Sequence, residues 1–395
     1  MKRWRVIVGV AAGVLLVVFW VISGGRPLRT LVGMVSGAGA LAYLPPRREI
    51  PLVPGPPQPT LSPAEAGLDP QALALAVDYA APRNTSALVV GVNGHIVFQK
   101  YWDDTTLDSP LEASGFTPVL GALVLGTALQ NGEIRDLDTP LSTYLKSWDG
   151  DPRGTITLRD LLTGNSNLAA PGARTWPRSL AARYYTQDDL GATLLRWPQA
   201  QRPDISGSPA EVDADILSLA LSEALKARYD ALLKDRLWTP LCAGSFSVGI
   251  DGDESSSGHV RAGCCVRARL SDWMRIGALI ANQGVFEGNQ FAPPEFARLL
   301  LAPTHRDSPR AVFMRVDGRF ATHDVVRLEA AGKQRLWMIP SLKLVILRAG
   351  GEPAADQGWD EAMIPDSIIR GMSTWAPASS GAGSKADPNL YAPHR

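Results

Sequence analysis

Apolar residues are continuous in one part of the chain and periodic in the rest. From Val6 to Ser23 the run VIVGVAAGVLLVVFWVIS carries no charge. A helix of that length, at about 1.5 Å per residue, just crosses a hydrocarbon core when Gly24 and Gly25 are added. Lys2, Arg3 and Arg5 precede it and favour a cytoplasmic N-terminus. Residues 1–25 therefore read as one transmembrane anchor; a cleaved signal segment, with its cleavage region at 36–42, is the alternative. Either reading places the bulk of the chain outside the cytoplasm, in the periplasm or the extracellular space.

Beyond this run the pattern changes period. GLDPQALALAVDYAA (67–81) predicts a helix with Asp69 as its N-cap and Pro70 at the first helical position. SALVVGVNGHIVFQKYW (86–102) predicts two strands joined by a two-residue turn at Asn93-Gly94. The stretch 117–300 is mostly of helical period; within it SPAEVDADILSLALSEAL (208–225) itself opens with a capping box of Ser208 and Glu211 and a proline, Pro209, in the first turn. QRLWMIPSLKLVILRAG (334–350) predicts two further strands around Pro340-Ser341, followed by a last helix within 360–376. Strands at both ends with helices between them imply an α/β (α+β) fold: one antiparallel sheet, flanked by terminal helices, with a helical subdomain inserted.

The punctuation sets the boundaries. Residues 26–63 form a juxtamembrane linker, and eight of the nineteen residues in 45–63 are proline, so this part reads as a stiff extended spacer. The folded unit then spans 64–376, and 377–395 has the composition of a disordered tail.

Charge and cysteine content narrow the function classes. Lys plus Arg (39) equals Asp plus Glu (39), and there is no basic stripe with interleaved aromatics, which removes the case for a nucleic-acid partner. The three cysteines, Cys242, Cys264 and Cys265, read as buried thiols; a bridge from Cys242 to either of the others is the alternative. None has histidine at metal-ligand spacing, so neither a metal nor a cofactor is expected. Nor do the histidines (95, 259, 305, 323 and 394) show a pairing that would supply a catalytic base.

Five segments in order carry a resemblance. LGTALQNGEIRDLDTPLSTYL (125–145), ITLRDLLTGNSNL (156–168), LLKDRLWTPL (232–241), RARLSDWMRIGALIANQGVFEGNQ (267–290) and GKQRLWMIPSLKLVILR (332–348) together resemble the serine β-lactamase-related family. That family takes in class C β-lactamases, D-alanyl-D-alanine carboxypeptidases, related esterases and 6-aminohexanoate-dimer hydrolases, and the fold it implies is β-lactamase/penicillin-binding-protein-like. The resemblance implies a nucleophilic serine at the start of the core helix, a lysine three residues later, a Tyr-x-Asn loop, and a Lys-Thr-Gly or His-x-Gly stretch on an edge strand.

This chain departs from each of these motifs and keeps only the glycine of the edge-strand stretch. Alignment on Gly126 puts Gly115 at the nucleophile and Pro118 at the lysine. No lysine in the chain has a serine three positions before it, and no tyrosine has an asparagine two positions after it. Ala210 or Glu211 stands near the expected tyrosine and Val212 near the asparagine, while Ala330-Ala331-Gly332 replaces the edge-strand motif. Ser114 is a weak candidate nucleophile, since the residue three ahead is Thr117, which is no base at neutral pH; Glu112 and Asp108 are the nearby carboxylates. Thr117 followed by Pro118 reads as a hydroxyl cap and a first helical residue.

The resemblance therefore implies a serine-hydrolase fold without its catalysis. In this reading Gly115, Ala331, Gly332 and Lys333 border a cleft for a small-molecule, peptide or cell-wall-derived ligand, and the peptide N–H groups of Gly115 and Lys333 are candidate donors to a carbonyl or carboxylate. The glycine is expected to widen that cleft, and Gly115→Ser with Pro118→Lys to be tolerated by the fold. The alternative is an active hydrolase of esters, amides or short amide oligomers that uses other residues.

Overall fold

The computed structural model describes residues 45–171, 180, 184–185, 189–200, 210–252, 258–301, 315–316 and 320–375. The expected membrane span, the Ser208-Pro209 cap and the expected tail lie outside these residues. Among the described residues no helix is long and apolar enough to cross a membrane.

The chain begins with strand β1 (Arg47–Ile50), helix α1 (Pro70–Ala80), β2 (Thr85–Val92), β3 (His95–Tyr101) and β4 (Pro110–Glu112). A single 3-10 turn, Ser114–Phe116, leads into α2 (Pro118–Gln130). The helical block continues with α3 (Leu158–Thr163), α4 (Leu190–Leu195), α5 (Ala210–Leu225) and α6 (Tyr229–Leu233). Next come β5 (Phe246–Gly249), β6 (Arg267–Arg269), α7 (Leu270–Ala281), the short pair β7 (Val285–Phe286) and β8 (Asn289–Gln290), and α8 (Pro294–Leu301). The chain closes with β9 (Arg315–Val316), β10 (Val326–Ala330), β11 (Gln334–Ile339), β12 (Leu344–Gly350) and α9 (Met363–Arg370).

The expected sheet is present: six antiparallel strands in the order β3-β2-β12-β11-β10-β9, built from both ends of the chain. Asp69 accepts from the Gln71 N–H at 2.9 Å, as the N-cap reading requires. Asn93 and Gly94 both take positive φ (49° and 81°), the geometry of a tight hairpin turn. Strand alternation divides the core into two layers. Leu88, Val90, Trp337, Ile339 and Ile346 face α1 and α9, whereas Ala87, Val89, Leu336, Met338 and Val345 face the helical block. Helix α2 is apolar on all sides and buried almost throughout, as a central helix must be.

Three expectations need correction. The helical middle also contains β5 and β6, which form a second sheet, β1-β5-β6-β4. Residues 45–63 are extended as their prolines demand, but they are docked rather than free. An extended backbone leaves its N–H and C=O groups unpaired, and the domain supplies partners. Thus β1 pairs with β5, the Gly55 N–H donates to the Cys242 carbonyl at 3.2 Å, and the Arg275 guanidinium donates to the Pro56 carbonyl at 2.5 Å. Finally, Cys264 and Cys265 form a disulfide between adjacent residues, and Cys242 is the free thiol.

Candidate functional site

The second sheet sets out the site. Strand β4 ends at Glu112, immediately before the Ser114–Phe116 turn, and β6 begins at Arg267, immediately after the cysteine pair. Because Glu112 is registered opposite Arg267, the two segments are neighbours. The β10–β11 hairpin supplies a third wall through Ala331, Gly332 and Lys333, where Gly332 and Lys333 take φ of 70° and 55°. Only glycine suits position 332, since a Cβ there would also lie 2.9 Å from the Gly350 carbonyl oxygen. These walls enclose a cleft of about 580 Å³, within the range of small-molecule sites.

Ser114, Gly115, Ala331, Gly332 and Lys333 all line this cleft, so the structure brings together the residues read from the sequence. It adds Tyr185, Glu211, Cys264, Cys265, Glu329 and Glu352. The Tyr185 hydroxyl donates to Glu211 at 2.6 Å. Glu112 pairs with Arg47 at 2.5 Å, and Lys333 with Glu352 at 3.6 Å. The cysteines had a signal in their adjacency; Tyr185 had none, as its place depends on the fold.

There is no room for a side chain at Gly115. A Cβ built on Gly115 would lie 1.8 Å from the Glu329 carbonyl oxygen, 2.9 Å from its carbon and 3.2 Å from the Ala330 Cα, all backbone atoms of β10. Contrary to the expectation from sequence, the glycine does not widen the cleft; it lets β10 lie against the turn that leads into α2. Phe116 is fully buried and packs edge-on against Trp273, with ring centroids 5.4 Å apart, which fixes the turn from below. Gln334 Nε2 donates to the Glu112 carbonyl at 3.3 Å, a second tie between the hairpin and β4.

Pro118 begins α2 as expected and is buried. Thr117, expected to cap the helix, makes no capping bond. Its backbone is already helical (φ −56°, ψ −42°), and its hydroxyl accepts from the Val266 N–H at 3.2 Å. No hydrogen bond to the Ser114 hydroxyl forms among the described residues, so no base engages it there.

Behind the cleft lies a buried polar layer. Ser166 donates to Asp213 at 2.6 Å, the Gly263 N–H donates to Asp215 at 3.0 Å, and the Tyr184 hydroxyl also donates to Asp215. Burial raises the Asp215 carboxyl to about 6, against the lowering effect of the Tyr184 bond and the Arg261 charge. None of these groups lines the cleft.

One histidine, His259, has a carboxylate partner away from the cleft. His259 Nδ1 lies 3.7 Å from Asp251, and this interaction raises its pKa despite partial burial. Asp189 joins them, with candidate ligand atoms of the three within 4.8 Å of one another. Both carboxylates already accept backbone N–H groups, Asp251 from Leu190 at 2.5 Å and Asp189 from Ala192 at 2.7 Å. None of the three lines the cleft.

The sheet of terminal strands, the inserted helical block and a cleft at the start of the central helix define the class. Residues 78–263 match the β-lactamase family model, and the fold is that of β-lactamases and penicillin-binding-protein homologues. Among solved structures it is similar to a protein assigned as a 6-aminohexanoate-dimer hydrolase from Bacillus anthracis, with 16% identity over 80% of this chain and 88% of that one, at a TM-score of 0.60. A protein assigned as a β-lactamase from Bacteroides dorei DSM 17855 also shows 16% identity, over 76% and 97% of the two chains, at a TM-score of 0.60. A penicillin-binding-protein homologue from Caulobacter crescentus shows 11% identity over 76% and 96%, at a TM-score of 0.58. At such identities the likeness establishes the fold. No curated protein matches the sequence.

Proposed function

We propose that this protein has kept the serine-hydrolase fold, lost its catalysis, and uses the remaining cleft to bind a small-molecule, peptide or cell-wall-derived ligand or an envelope partner. The closure at Gly115 carries the reading. A nucleophilic side chain has no room where the Glu329 carbonyl lies, and Pro118 offers no base one helical turn on. The cleft of about 580 Å³, with Tyr185, Glu211 and Lys333 on its walls, supports retained binding. Intact-mass measurement after incubation with a fluorophosphonate and with a fluorescent penicillin tests the loss. No adduct is expected; a stoichiometric adduct removed by Ser114→Ala would establish the hydrolase alternative.

The proposal includes a tether: residues 6–25 hold the domain on the outer face of a membrane. The uncharged run and the preceding Lys2, Arg3 and Arg5 support it. Full-length protein should stay with the membrane fraction through an alkaline carbonate wash. Its release into the supernatant would count against the tether without touching the account of the cleft.

A further inference from the structure

The disulfide between Cys264 and Cys265 is not explained as a staple. A cross-link stabilises chiefly by restricting the unfolded chain, and its effect grows with the loop it closes. Adjacent residues close the smallest loop available, so this bond contributes little to the fold. Its location is more informative: both cysteines line the cleft, on the wall that meets Ser114, Gly115, Tyr185 and Glu211.

The backbone around the pair is tied to the opposite walls. Cys265 holds φ at 77°, in the left-handed region that residues with a Cβ rarely adopt. In that conformation its carbonyl accepts from the Gly249 N–H at 3.0 Å and from Arg47 Nη1 at 3.2 Å. Arg47 in turn pairs with Glu112 at the end of β4. The next peptide N–H, that of Val266, donates to Thr117 at the start of α2. One strained residue thus orients groups that reach β4, β5 and α2. Once the ring opens, Cys265 is free to relax to an ordinary φ, and relaxation turns the Cys265–Val266 peptide, whose carbonyl and N–H make all of these bonds, away from its partners.

We propose that Cys264 and Cys265 form a thiol–disulfide redox centre in the cleft wall, and that its state sets the geometry of the cleft. The reductant is a low-molecular-weight thiol or a dithiol. A thiolate attacks one sulfur of the pair; the sulfur–sulfur bond breaks, a mixed disulfide forms, and the departing sulfur takes up a proton. A second thiolate then attacks the mixed disulfide, releasing the oxidised reductant and leaving the second cysteine to be protonated. Two electrons and two protons pass to the protein, and one disulfide of the reductant is formed. This inference is independent of whether the cleft has lost catalysis.

The test joins thiol counting to hydrogen exchange on the full chain. Under denaturing, non-reducing conditions alkylation should label Cys242 alone; after dithiothreitol it should label all three cysteines. Reduction should raise amide exchange in peptides covering 112–117 and 264–267 on the order of tenfold, as local opening frees those amides. Cys264→Ser should exchange like the reduced wild type with or without dithiothreitol, whereas Cys242→Ser should respond as the wild type does. Three alkylated cysteines without reductant, or unchanged exchange in the reduced wild type, would overturn the proposal.

Discussion

Gly115→Ser should lower stability and leave the protein unable to form an acyl adduct. The obstruction comes from the Cβ rather than from the hydroxyl: it would lie 1.8 Å from the Glu329 carbonyl oxygen. That carbonyl belongs to β10, whose Glu329 is registered opposite Arg335 of β11, so it cannot swing aside as a flexible side chain would. Overpacking of this kind costs about 1–3 kcal/mol, and the backbone neighbour places this case at the upper end. Gly115→Ala should therefore be as destabilised as Gly115→Ser, within about 0.5 kcal/mol. Adding Pro118→Lys should deepen the loss, because position 118 is buried and an unpaired ammonium there would be desolvated. Urea denaturation of the three variants measures this. Ala and Ser variants as stable as the wild type would show that β10 does not close on the turn.

A second large loss is expected at Arg348, which is fully buried and faces carbonyl groups rather than a carboxylate. Its guanidinium donates to the carbonyls of Gly332 (2.5 Å), Arg83 (2.5 Å), Asn84 (3.1 Å) and Gly351 (3.1 Å) and to the Thr85 hydroxyl (3.1 Å). Burial, with the charge of Arg335, brings its pKa down to about 10, so it stays protonated at neutral pH. Replacement by Met fills the space but leaves several acceptors without donors. At roughly 1–3 kcal/mol for each buried unsatisfied group, partly relieved by water, the total should be about 3 kcal/mol or more. Lysine should recover only part, because an ammonium has three donors and lacks the planar fork. Since Nη1 holds the Gly332 carbonyl, exchange should also rise in 330–334 on the cleft rim. A loss under 1 kcal/mol for Arg348→Met would contradict this account.

What could be read from the sequence follows physical range. The Asn93-Gly94 turn and the Asp69-Pro70 helix start are set by neighbours, and each is present in the fold. The two ends of the central sheet were legible because their strands are long and apolar. Strands β5 and β6, of four and three residues, are too short to show a period within a helical stretch. The cleft residues were legible in part. Ser114, Gly115 and Ala331 to Lys333 converge as expected, but Gly115 closes space where its missing side chain suggests an opening. A missing side chain looks the same in sequence whether it opens space or admits a distant strand. The role of Thr117 is hidden for a similar reason: its partner, the Val266 N–H, is brought to it by the fold from far along the chain.

The central claim is that the fold persists while the chemistry at the start of α2 is gone. Turnover of a chromogenic ester and of a chromogenic β-lactam by the purified domain, beside Ser114→Ala, tests it most directly. The expected result is hydrolysis at the rate of buffer alone for both proteins. Hydrolysis above buffer in the wild type that disappears in Ser114→Ala would contradict it.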